Sequence, residues 1–345
     1  MKSYMPFGHI WPKRIPYWHL KGLPCQCQDR ILNRSIVEPN ISLLRRLSIP
    51  PYFLERFVMK KSIAVPIIPR KMSFDFTKTS TQDWCCQNMF YSAYMNGVSL
   101  ALPLGEDFFI RAIRQFDGQF NNPILEDELK RFVAQEAIHS RQHLLYNNQL
   151  TREGYDIKNI QTRIQQALDE VWEASTPIER LAYTIALEHL THVLGDQILA
   201  NSERLSGWHT EFRAFWLWHA AEEIEHKAVC YDLYQQLGGT LTMRSKALFK
   251  MTQKMLSIFW QNQHDLLSQT CKLRGISMPS NLMISRANIS FLFDRHQGLL
   301  RGAEPAYLAW FLPYYHPWKH DNRSALALWQ RDVLPLNHIA DLKMA

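Results

Sequence analysis

The sequence predicts an all-α protein, a bundle of helices preceded by an irregular basic arm. Three observations predict it. Glycine is scarce, 13 in 345 residues, whereas an all-β chain needs many tight turns. From about residue 84 onward, apolar residues recur at spacings of three and four, the rhythm of helices that bury one face. The composition, 46% hydrophobic and 21% charged, belongs to a globular chain and excludes a disordered one.

Taken in order, residues 1–64 read as a basic, Pro-rich extension. Residues 1–70 carry twelve Lys and Arg against Asp29, Glu38 and Glu55, so the +7 net charge sits in the arm and the body is slightly acidic. A solvated extension is expected, with contact to nucleic acid or an anionic membrane as the alternative. No such signal stands outside the arm. A short helix is predicted near 41–61. Residues 65–330 read as one helical domain and 331–345 as a tail. Within the domain, helices are predicted near 84–118, 125–150, 158–172, 177–203, 208–237, 240–269, 286–300 and 304–312. Gly154, Gly207 and Gly238-Gly239 sit where helices should stop. Thr176-Pro177-Ile178-Glu179 is a clear start, with a capping Thr, a Pro at the first helical position and a Glu three residues after the cap.

No run of 18 apolar residues is present, so no membrane-spanning helix is expected, and the first twenty residues lack the apolar core of a secretory signal. The cysteines Cys25, Cys27, Cys85, Cys86, Cys230 and Cys271 do not make zinc-type C-x2-C pairs. They read as free thiols in a reducing compartment, and a cytoplasmic location is expected.

The chemistry lies in the seams of four helices. A bundled helix buries residues at alternating spacings of three and four. One seam runs Leu102, Glu106, Phe109, Ile113, Phe116, and a second runs Leu129, Phe132, Glu136, His139, His143. A third runs Leu181, Ile185, Glu188, His192, Gly195, Leu199. A fourth runs Phe212, Trp216, His219, Glu223, His226, Cys230, Leu233. Each places ionisable residues in the middle of an apolar stripe. A buried carboxylate costs several kcal/mol without compensation. Two divalent cations would balance Glu106, Glu136, Glu188 and Glu223, with neutral imidazoles from His139 and His226 completing the shells. Glu136-x-x-His139 and Glu223-x-x-His226 each put both donors on one helical face. Two such motifs plus a lone Glu from each of two other helices are the ligand set of carboxylate-bridged di-iron and di-manganese bundles of the ferritin-like type. Two iron ions are expected, with manganese or a mixed iron–manganese pair as alternatives and zinc less favoured.

Further residues share these helices. His219 reads either as a third imidazole ligand or as a hydrogen-bonded neighbour. His143 and His192, each one turn beyond a proposed ligand, are expected to hydrogen-bond or to touch substrate rather than ligate. Glu222 and Glu225 fall about 100° off the seam and are expected to be solvated, with Glu222 a fallback ligand. Asp196 and Asp232 are candidates to orient imidazoles. Pro103 and Gly105 are expected to kink or start the helix that carries Glu106. Trp84, Trp172, Trp208, Trp216 and Trp218 read mainly as core, with a pocket wall as the alternative.

Several stretches carry a resemblance. Leu102-Pro103-Leu104-Gly105-Glu106-Asp107-Phe108-Phe109 is one. Gln135-Glu136-Ala137-Ile138-His139 with His143 and Asn147 is a second. Trp216-Leu217-Trp218-His219 with Glu222, Glu223, Glu225, His226 and Lys227 is a third, and Tyr314-Tyr315-His316-Pro317-Trp318 a fourth. Together they resemble a bacterial family catalogued as predicted metal-dependent hydrolases, over about residues 65–330. The ligand pattern is also similar to that of arylamine N-oxygenases, ferritin-like di-iron enzymes. That similarity implies His219 as a seventh ligand, in a His219-x-x-x-Glu223-x-x-His226 element. Residues 1–64 match neither group.

Two activities follow as expectations. The first is an O2-dependent di-iron oxidase or oxygenase acting on a small organic substrate. The alternative is a two-metal hydrolase. The partners expected are a small-molecule substrate and, under the first reading, O2; a homodimer is left open.

Overall fold

A computed structural model describes residues 65–334. The helix predicted at 41–61, the basic arm, Cys25 and Cys27, and residues 335–345 lie outside them. The described residues are all-α and contain no strand, and an isolated bridge pairs Cys85 with Trp208. None of their helices is long and apolar enough to cross a membrane.

The helices, in order, are α1 (Met89–Arg114), α2 (Pro123–Arg152), α3 (Lys158–Glu173), α4 (Pro177–Ala200) and α5 (Thr210–His226). After these come α6 (Val229–Gln236), α7 (Leu241–Arg274), α8 (Asn281–Phe293), α9 (Glu304–Ala309) and α10 (Arg323–Asp332). α1 packs along α2 and α7, and α4 packs along α5 and α7. α2 also meets α5, and α6 wedges between α2 and α4. The four helices with ionisable seams thus enclose one interior.

Local chemistry sets most boundaries. Asn88 caps α1, its side chain accepting from the N–H groups of Phe90 and Tyr91 at 2.9 and 3.3 Å. The helix therefore starts later than the predicted residue 84. Cys86 and Gln87 hold left-handed φ angles of 55° and 51°, which no helix continues through. At α4 the predicted start is present: Thr176 N–H donates to Glu179 at 2.9 Å. Gly154, Gly238 and Gly275 end α2, α6 and α7 with φ of 94°, 78° and 65°. Gly207 is no helix stop; it lies between a 3-10 turn at Ser202–Leu205 and α5, where a side chain would meet Cys86 Sγ at 3.0 Å.

Further boundaries differ from expectation. The stretch 208–237 is two helices, broken at Lys227 and Ala228 just after His226. The break lets buried Lys227 donate to the His320 carbonyl and to Asn322 Oδ1, both at 2.8 Å. Of the two expectations for Pro103, a kink or a start, its place inside α1 leaves the kink. The helix at 286–300 is Asn281–Phe293, moved upstream by the Ser280 cap, which accepts from Met283 N–H at 3.4 Å. α10 carries no prediction.

Two glycines permit close approach. A Cβ on Gly195 of α4 would lie 3.2 Å from the Ala220 carbonyl oxygen of α5, and one on Gly97 would lie 3.1 Å from Asn262 Cβ of α7. The core divides into apolar layers. One holds Tyr146, Phe212, Phe215, Trp216 and Trp218; a second holds Phe109, Phe132, Leu181, Ile185 and Tyr231. His139 stands edge-on to Trp218 in the first, and His226 edge-on to Phe132 in the second. The ionisable cluster lies between them.

Candidate metal centre

The seam residues meet. Glu106, Glu136, His139, Glu188, His219, Glu223 and His226 are all at most 4% exposed. His226 Nε2 lies 3.3 Å from Glu136 Oε1, 3.3 Å from Glu188 Oε2 and 3.5 Å from Glu223 Oε2. His139 Nδ1 lies 3.7 Å from both Glu136 Oε1 and Glu223 Oε1. Donor atoms of Glu106, Glu136 and His139 gather within 4.8 Å of one another, as do those of Glu136, Glu223 and His226, and those of His139, His219 and Glu223.

Most of these donors face nothing that could satisfy them. Both oxygens of Glu106, Glu136 and Glu188, Oε2 of Glu223, Nδ1 of His139 and Nε2 of His226 are buried without a hydrogen-bond partner among the described residues. A buried polar atom is normally paired. So many orphans aimed at one small volume fit a positive charge there. The donor set, hard oxygens with imidazoles and no thiolate, suits first-row divalent ions of the iron and manganese kind.

The protonation pattern agrees. Burial pushes the Glu106 and Glu136 carboxyls well above the usual range, aided by their acidic neighbours, and pushes Glu188 up to about 7. Burial also acts to raise Glu223, but the His226 and His219 imidazoles outweigh it and hold that carboxyl low. For His226 burial acts to lower, and Glu223 and Glu188 reverse it.

The outward nitrogen of each motif histidine is anchored. His139 Nε2 bonds Glu222 Oε2 at 3.1 Å, and His226 Nδ1 bonds Gln135 Oε1 at 3.0 Å. Because both acceptors are oxygens, each imidazole directs an N–H outward, which leaves its inner nitrogen as the one that could face a cation. Glu222 also accepts from Trp218 Nε1 at 2.9 Å and from Arg70 at 3.1 Å. Gln135 donates to Glu225 at 3.0 Å, and Glu225 takes two bonds from Arg70, at 3.0 and 2.6 Å. One buried guanidinium thus stands behind both motif histidines. Glu222 and Glu225 are not solvated, as their off-seam position suggested: both are fully enclosed because residues 68–70 run across that face. Burial raises Glu222 to about 7 against the pull of Arg70.

His219 has a comparable anchor. Pro103 has no N–H to give the Ser99 carbonyl one turn back; Asn147 Nδ2 takes that carbonyl at 3.1 Å, and Ser99 Oγ donates to Asn147 Oδ1 at 2.8 Å. The Ser99 oxygen is then left to accept from His143 Nδ1, at 2.8 Å. His143 Nε2 accordingly accepts from His219 Nδ1 at 3.0 Å. This leaves His219 Nε2 as a lone pair 3.0 Å from Glu223 Oε1. Two acceptors at that distance need a proton or a shared cation between them.

Other sequence-predicted residues fall elsewhere. His192 Nδ1 approaches the Glu188 carbonyl at 3.2 Å. Asp196 and Asp232 do hold imidazoles at 2.9 Å, but those of His320 and His316. Of the tryptophans, Trp216 and Trp218 border the centre; Trp84 stacks on Phe212 at 4.4 Å, and Trp172 lies under Arg111 and Arg180. Arg70 escaped the sequence reading, and Gln135 entered it only as part of a matching run, with no role. Arg70 ends a Pro-rich stretch and Gln135 lies off the seam, so neither carries a periodic signal.

A family model described as predicted metal-dependent hydrolase matches residues 68–321. No curated protein and no solved structure matches the chain.

Proposed function

We propose, for a chain that belongs to the predicted metal-dependent hydrolase family, that two divalent cations bind between α1, α2, α4 and α5 and that the reaction is hydrolysis of a small-molecule substrate. The observation that carries the two-metal reading is the convergence of orphaned donors from Glu106, Glu136, His139, Glu188, Glu223 and His226. Glu106, His139 and His219 would hold one cation, and Glu188 and His226 the other. Glu223 would serve both, since one oxygen faces His139 and His219 and the other faces His226. Glu136 would contribute beside them, its Oε1 near both motif histidines.

A bound cation pair activates water and polarises the bond to be cleaved. The chain's own residues orient: Glu222 and Gln135 fix the two motif imidazoles, and Arg70 fixes Glu222 and Glu225.

The second reading is O2-dependent oxidation at a di-iron centre. The observation favouring it is the donor set itself, carboxylate and imidazole only, inside a helical bundle rather than on loops at strand ends. Iron would supply the redox chemistry. One pair of assays separates the two. Hydrolysis of an ester, amide and phosphoester panel by manganese- or zinc-loaded protein, abolished in Glu136→Ala, is the expected result. O2 uptake by the ferrous protein with no hydrolysis on the panel would replace the first reading with the second.

A further inference from the structure

A groove of about 450 Å3, part of it open to solvent, runs between α1, α4, α5 and α7 and ends on His219 and Glu223. Val98 and Leu102 form one wall, Leu190 and Leu194 a second, and Met255 and Phe259 of α7 a third. Apart from the two residues at its floor, no charged side chain lines it. Thr191, also in the wall, donates its hydroxyl to the Glu188 carbonyl at 3.0 Å and is thereby satisfied.

One donor in the lining is not satisfied. Trp216 is 2% exposed, and its Nε1–H has no partner among the described residues. Its ring centroid lies 5.9 Å from that of His219. Buried tryptophan N–H groups usually find an acceptor, and a donor left unmade away from water is costly.

We propose that this groove is the substrate site and that it takes an uncharged, largely apolar molecule with one carbonyl acceptor, such as an aliphatic ester, of which an aliphatic ketone is the non-hydrolysable mimic. The acceptor oxygen bonds Trp216 Nε1 beside the floor, and the hydrocarbon part lies along Leu190, Leu194 and Met255. A charged tail is rejected, because these walls offer nothing to replace its hydration. The word substrate rests on the two-metal reading; the ligand class rests on the groove alone.

The test is calorimetric titration of the purified full-length protein with 2-octanone, which cannot be hydrolysed, and with 8-amino-2-octanone, which places an ammonium at the end of the same chain. The result expected is one site per chain for 2-octanone, with the amine at least tenfold weaker. Trp216→Phe should weaken 2-octanone at least threefold. Leu194→Trp, which fills the groove, should weaken it at least tenfold; Met255→Trp fills it from α7 and serves if Leu194→Trp does not fold. Equal affinity for the two ketones, or wild-type affinity in the filled variants, overturns the proposal. Metal content is measured on the same samples. Two metals with no ketone binding overturns the groove assignment alone; ketone binding without metal overturns the two-metal reading alone.

Discussion

Orientation of two imidazole rings is the smallest feature on which the centre depends. His139 and His226 each turn one nitrogen inward only because Glu222 and Gln135 occupy the other. Glu222→Gln keeps the shape but can present an N–H where His139 needs an acceptor. Losses of this kind cost about 10–100-fold in metal affinity, and competition against a chelator should show that loss with the fold retained. Arg70 is a harsher case. It is the cation against two buried carboxylates, Glu222 and Glu225, and removing one partner of a buried pair costs about 3–5 kcal/mol. Arg70→Met should lower stability by that order in urea unfolding. The sign of the pH response follows from the same residues. Carboxyls with raised pKa, Glu106 and Glu136 well above the usual range and Glu188 at about 7, hold protons near neutrality when no cation is bound. A cation binds the ionised forms and must displace those protons. Affinity should therefore fall as pH falls through neutrality, and titration in weak buffer should release protons; proton uptake would contradict this.

At the scale of elements, the sequence was most legible where a seam repeats. Leu129, Phe132, Glu136 and His139, or Phe212, Trp216, Glu223 and His226, announce both the helix and the face that carries the candidate donors. The start of α4 was legible because Thr176, Pro177 and Glu179 act locally. What escaped depends on contacts far away in the chain. The break after His226 contains neither Pro nor Gly; it accompanies the reach of Lys227 to His320 and Asn322. The burial of Glu222 and Glu225 depends on Arg70, more than 150 residues upstream, and no periodicity encodes that. Gly195 marks a helix contact of the same long-range kind. A methyl there would press on the Ala220 backbone oxygen at 3.2 Å, which cannot turn aside as a side chain could. Gly195→Ala should destabilise by about 1–3 kcal/mol, the usual cost of overpacking. It should also weaken metal binding by separating Glu188 on α4 from Glu223 on α5. Unchanged stability and affinity would show that α4 and α5 have room to part.

For the molecule as a whole, the site works against the fold that contains it. Four glutamates and three histidines, each at most 4% exposed, occupy an interior flanked by apolar layers. Burying such groups without partners opposes folding. A ligand that binds the folded state alone adds stability by mass action, about 4 kcal/mol at a thousandfold excess over its dissociation constant. The protein stripped with chelator should melt at lower temperature than the loaded protein, and the difference should shrink in Glu106→Ala, where one donor is already missing. The all-α class was readable from glycine scarcity and helical spacing together, and the four ionisable seams from spacing. The layer outside them, Arg70 with Gln135 and Ser99 with Asn147, was not, because its members are ordinary polar residues given meaning by three-dimensional neighbours.

The central claim is a pair of cations held by buried glutamates, and metal-to-chain stoichiometry by mass spectrometry tests it most directly. Two metals per chain in the wild-type protein, falling to one or none in Glu136→Ala and Glu223→Ala, is the result predicted. A well-folded wild-type protein that retains no metal after incubation with ferrous, manganous or zinc ions, or variants that bind as much as the wild type, would contradict it.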